Sequence, residues 1–122
     1  MKYVVLVGLA VAACGTTDDR PQTLAYVTEA ILAPNCASAE CHSELRRSYG
    51  YVFDTVAHAQ DSLANGNLVT PGDPTSSYLI TVITTEDRLG NRMPLDHPLD
   101  NKDIFFIGTW ITNGAEGYTP PP

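Results

Sequence analysis

Apolar positions along this chain recur mostly with helical spacing. Leu24, Val27, Ile31 and Leu32 fall at i, i+3, i+7 and i+8, a stripe along one helix face that Pro34-Asn35 is expected to end. A shorter helix is predicted from Asp54 as N-cap, with Val56, Ala57, Gln60, Leu63 and Ala64 along one side and Asn65-Gly66 as the stop. The run from Leu79 to Thr84 is rich in β-branched residues and has strand propensity, but its punctuation opposes a strand. Pro71-Gly72 suits a type II turn, Asp73 an N-cap and Pro74 a first helical position, so a helix is predicted over 74–84. The last helix has Asp100 as N-cap, Asp103 as the N3 acid, a stripe of Ile104, Ile107 and Ile111, and Gly114 as its stop. Phe105, Phe106 and Trp110 stand beside that stripe, so the helix is apolar nearly all round and is expected to meet the first helix on one side and a large apolar body on the other.

Other segments lack this period. Residues 1–13 carry Lys2 and then an apolar run ending in small residues, the grammar of an export signal and too short to span a bilayer comfortably. Val11-Ala12-Ala13-Cys14-Gly15 resembles the bacterial lipoprotein cleavage box, which implies acylation of Cys14 and a membrane-anchored, extracytoplasmic location. Residues 14–22 then read as the lipidated cysteine and a polar tether, 23–116 as one domain, and 117–122 as an unstructured tail. Between the third and fourth helices, 85–100 is a long polar loop of the kind that usually carries function.

Charge narrows the partners. The 14 acidic residues face 7 basic ones, of which Lys2 leaves with the signal, so the charge opposes a nucleic-acid role and redox or other partners with basic docking surfaces are expected.

The chemistry concentrates in "APNCASAECHS". With Cys14 lipidated, Cys36 and Cys41 remain as a pair, and His42 follows the second directly. Two thiols that add across porphyrin vinyl groups, with an adjacent imidazole to reach the iron, form a c-type haem attachment site. Two residues usually separate the cysteines; here four do, Ala37-Ser38-Ala39-Glu40, so that backbone must bulge outward and Cys36 is the weaker attachment. The mature chain has one methionine, Met93, in the polar loop beside Pro94, which biases it toward an extended strap able to offer a thioether as second axial ligand. His97, in the same loop, is the alternative sixth ligand, and His58 reads as a solvated helix residue. Arg92 is a candidate propionate contact, and Trp110 a candidate wall of the haem pocket.

The attachment site, "LVTPGDPTSSYL" and "NRMPLDHPLDNKDIFFIGTWITNGA" together make the chain resemble the class I-like c-type cytochrome domains of exported bacterial proteins. The resemblance runs from about Leu24 to Ala115. It implies a small all-α, cytochrome c-like fold of about four helices around one haem c, with N- and C-terminal helices crossing beside it. It also implies covalent attachment at Cys36 and Cys41, His42 as proximal and Met93 as distal ligand. Such a site points to a one-electron carrier rather than an enzyme. Two other readings stay open: a haem-free lipoprotein with a Cys36–Cys41 disulfide, and a zinc site from Cys36, Cys41, His42 and His97.

Overall fold

The computed structural model describes residues 18–86 and 88–122. The expected signal, Cys14 and the first part of the tether therefore lie outside the described residues. The fold is all-α and cytochrome c-like, with four helices joined by loops and 3₁₀ turns and no strand among the described residues. None of these helices is long and apolar enough to cross a membrane.

Helix α1 occupies 24–36 as three consecutive segments, Leu24–Tyr26, a π-helical Val27–Leu32 and Ala33–Cys36. Thr23 caps its start, the hydroxyl accepting from the Tyr26 N–H at 3.2 Å. The predicted stripe of Leu24, Val27, Ile31 and Leu32 is buried, together with Thr28. Pro34 does not end the helix, contrary to expectation. The Ala33 N–H bonds to the Thr28 carbonyl five residues back, and the Asn35 side-chain amide donates to the Ile31 carbonyl at 2.8 Å. The widened π turn just upstream gives the chain room for a ring that lacks a donor and would crowd an ordinary α turn. The consequence is positional, because one further turn carries the helix to Cys36.

Helix α2 spans Val56–Asn65 and buries Ala59, Ser62 and Leu63. Its N-cap is Thr55, whose hydroxyl accepts from the His58 N–H, so the expected cap at Asp54 is corrected by one residue. Asp54 is engaged elsewhere, accepting from the Glu44 N–H and pairing with the His58 ring. Gly66 closes the helix where a Cβ would lie 2.7 Å from the Tyr51 ring and 2.9 Å from Leu68, a contact only glycine permits.

The third predicted helix divides in two. Asp73 caps a 3₁₀ turn over Pro74–Ser76, Ser77 is extended, and α3 runs over Tyr78–Thr84. The buried Ser77 hydroxyl causes the break: it donates to the Asp73 carbonyl and accepts from the Thr70 N–H, tying the turn to the preceding loop. The β-branched run is helical all the same, with Leu79 and Ile83 turned into the core.

Helix α4 spans Asn101–Thr112, with Asp100 capping through the Lys102 N–H. Phe106, Ile107, Trp110 and Ile111 are buried, whereas Phe105 is 73% exposed. The helix packs on α3 and on the Pro74–Ser76 turn and meets α1 through the Tyr26 and Phe106 rings, with Phe106, Ile107, Trp110 and Ile111 in the core.

The two chain ends clasp each other. The Tyr26 and Phe106 rings meet edge to face at 5.5 Å. The Arg20 guanidinium lies 4.3 Å from the centre of the Phe106 ring and 2.6 Å from Asp103. The Glu116 carbonyl accepts from both the Leu24 N–H at 2.8 Å and the Trp110 indole at 3.1 Å. Part of the expected tail is ordered too: Tyr118 is buried, and the Gln60 amide brackets the Thr119 backbone with bonds of 2.7 and 2.9 Å.

Candidate functional site

The two thiols and the imidazole come from the junction between α1 and the loop after it. Cys36 is the last residue of α1 and is half-buried. The chain then doubles back, with the Cys41 N–H donating to the Ser38 carbonyl at 3.0 Å and the His42 N–H to the Cys36 carbonyl at 2.9 Å. The second bond closes the loop and sets Cys36 beside Cys41-His42 despite the four residues between the cysteines. Ser38, Ala39 and Glu40 are displaced to the exposed surface, the outward bulge that the long spacing requires.

His42 is held from both of its sides. Its carbonyl accepts from the Phe53 N–H at 2.8 Å, and its ring meets Phe53 edge to face at 5.5 Å and Tyr51 at 6.2 Å. To return Tyr51 and Phe53 to the imidazole, the chain passes through left-handed backbone at Arg47, Tyr49 and Gly50. For the two residues with side chains this costs roughly 1–2 kcal/mol each. Nδ1 of His42 is buried with no hydrogen-bond partner among the described residues, an arrangement native interiors rarely leave unanswered.

Met93 comes from a separate segment, the loop after α3. Its N–H donates to the Val82 carbonyl of α3 at 2.8 Å, and Pro94 after it is buried. Cys36, Cys41, His42 and Met93 all line one cleft of about 130 Å³, with Tyr49 and Leu95 among its other walls. Residues more than fifty positions apart in the chain thus converge on one space.

Cys36 and Cys41 are both free thiols, so the structure holds no disulfide between them. Burial pushes the Cys36 thiol up to about 12, with charge on neighbouring Cys41 adding to the effect, so Cys36 is a neutral thiol at neutral pH. The donor set suits a covalently bound haem: two thiols for thioether bonds, an imidazole with an orphaned ring nitrogen, and a soft thioether on the same cleft.

Other candidates lie elsewhere. Trp110 is 0% exposed in the protein core, its indole spent on Glu116, and it does not line the cleft. Arg92 is half-buried next to Met93 but outside the lining, and His97 is exposed and also outside it. His58 is on α2, its Nδ1 2.6 Å from Asp54 and its Nε2 3.6 Å from Glu44. Among the described residues no group of three or more His, Cys, Asp or Glu side chains gathers as a metal-ion site.

The sequence reading missed Asn35, Glu40, Ser48, Tyr49 and Leu95 as cleft residues, and Tyr51 and Phe53 as the packing partners of His42. A signal for the aromatic set was present in "SYGYVF", where rings alternate with small residues just after the histidine.

Residues 39–96 match the family described as Planctomycete cytochrome C. The matched segment includes Cys41, His42 and Met93 and begins after Cys36. It supports a cytochrome c-like, electron-transferring haem domain. No curated protein and no solved structure matches the chain.

Proposed function

We propose that this protein is a membrane-anchored extracytoplasmic one-electron carrier with a single haem c, attached at Cys36 and Cys41 and ligated by His42 and Met93. The observation that carries this reading is the convergence of those four side chains on one cleft. Bound there, a haem supplies a one-electron couple.

The chain's own residues set the conditions for that couple. The bond from the His42 N–H to the Cys36 carbonyl spaces the two thiols, and the Phe53 and Tyr51 rings fix the plane of the imidazole. The Val82 carbonyl holds the Met93 backbone, so the thioether is presented by a braced segment rather than a free loop. Were His42 and Met93 to hold the iron, a thioether paired with an imidazole would favour the reduced metal relative to two imidazoles, which points to a comparatively high potential. Arg92, next to Met93, is the guanidinium closest in sequence for a propionate. Export and acylation at Cys14 would place the carrier at a membrane surface, a reading that rests on the sequence of residues 1–15.

The test is expression with a haem-maturation system followed by acid-acetone extraction. Pigment should stay with the polypeptide, and a colourless, folded product would overturn the reading. Met93→Ala should keep the pigment, change the optical spectrum and lower the potential, while His97→Ala should leave both as they were.

A further inference from the structure

A second, larger cavity lies next to the candidate haem cleft and plays no part in holding the four ligating side chains. It measures about 440 Å³ and opens between the loop after His42 and the exposed face of α2. Tyr49 lines both cavities, and Tyr51, whose ring is 6.2 Å from that of His42, lines the larger one. Whatever occupies it therefore sits beside the redox site.

Its chemistry favours a cation. Arg47 is already paired with Glu44, and the His58 ring is held by Asp54 at 2.6 Å with Glu44 on its far side. Asp61 and Asn65, one turn apart on α2, make no side-chain hydrogen bond or ion pair with any described residue. The cavity thus offers an unspent carboxylate and an unspent amide, with carboxylates in excess over the guanidinium, which disfavours an anion. The Tyr49 ring, 88% exposed, and the Tyr51 ring supply aromatic surface that a guanidinium or ammonium can lie against.

We propose that this cleft is the docking anchor for a basic side chain, Arg or Lys, on the surface of a redox partner protein. The proposal rests on the electron-carrier reading and adds to it the face by which the partner approaches. A partner residue seated between Asp61 and Tyr49 brings the partner's surface against Tyr49, the wall shared with the candidate haem cleft. The chain's overall charge of −7 steers a basic partner toward the molecule, and the anchor selects where it stops.

The experiment uses the pigmented, reduced protein with two probes. Arginine amide is titrated while backbone and side-chain resonances are followed by NMR, and oxidation by the cation tris(1,10-phenanthroline)cobalt(III) and by the anion ferricyanide, both strong enough for a high-potential couple, is timed at low and high salt. Each oxidant takes one electron from the protein and is itself reduced by one. Arginine amide should shift Tyr49, Tyr51, Asp61 and Asn65 as a group, and Asp61→Asn should abolish that pattern. At low salt Asp61→Asn should slow the cationic oxidant several-fold, vanishing at high salt, without slowing ferricyanide. Glu29→Gln, the same charge change on the exposed face of α1, should have a much smaller effect. Equal slowing in both variants would leave only a diffuse charge effect and overturn the anchor. Arginine amide binding in the cleft with no excess effect of Asp61→Asn on the cationic oxidant would mean a small-molecule site and overturn the docking role. A colourless product fails the carrier reading instead, and the NMR titration of that product still decides whether the cleft takes a cation.

Discussion

The clasp between the chain ends and the junction around Cys36 are built on opposite principles. In the clasp, Leu24, Phe106, Trp110 and Ile111 are buried, and the indole, the first helical N–H and the Arg20 guanidinium all have protein partners. At the junction, Cys36, Cys41, His42 and Met93 are only half-buried, both thiols are free, and a buried ring nitrogen has no partner. Stability and chemistry are therefore separated in space. The clasp pairs its indole, backbone and guanidinium within the protein and leaves only the Thr28 and Tyr118 hydroxyls unpartnered among the described residues, whereas the junction keeps its reactive groups facing a shared cleft.

That separation can be broken by substitution. The largest effect should come from Cys41→Ser, which is expected to remove essentially all acid-stable pigment while leaving the helical circular dichroism intact, whereas Cys36→Ser should retain part of the pigment. Next, Trp110→Ala deletes a fully buried ring and its bond to Glu116, and should lower unfolding free energy by about 3–5 kcal/mol in denaturant melts. Its folded fraction should keep the optical spectrum of the parent; a changed spectrum would show that the core and the site are one unit. Arg20→Ala removes the cation–π contact and the Asp103 pair at a partly exposed position, and should cost about 1 kcal/mol with no spectral change.

The smallest effect concerns pH. The Asp73 carboxyl is held down to about 2 by the Thr75 and Ser76 side chains and N–H groups that it caps. Because the folded value lies below the ordinary carboxylate range, its stabilisation is complete above that range and is lost as pH falls toward about 2. Acid melts of Asp73→Asn should therefore converge on those of the parent at low pH and lie below them at neutral pH.

Much of this was legible beforehand. The stripes of α1 and α4 are buried where the period puts them, because a helix can hide only one face at a time and the residues on that face must be apolar. Asp73 and Asp100 cap as predicted, since a cap depends on residues within one turn. Simple local rules failed where backbone geometry or groups outside the pattern intervene. Pro34 continues α1 because a π turn upstream makes room, and Ser77 breaks the third helix because its hydroxyl is drawn to Thr70. The tail is ordered at Tyr118 and Thr119 because Gln60, far away in the chain, brackets it.

Composition and spacing alone determined the all-α class, the acidic surface, and the set of thiol, imidazole and thioether side chains available for ligation. Tertiary structure decided which of them meet. Met93 was placed on the cleft and His97 outside it by one bond to Val82 and the burial of Pro94, and Trp110 went to the clasp because its indole found Glu116. Sequence periodicity encodes which face of an element is apolar, but it carries no information about which distant carbonyl will accept a given N–H, and here that choice positions the site.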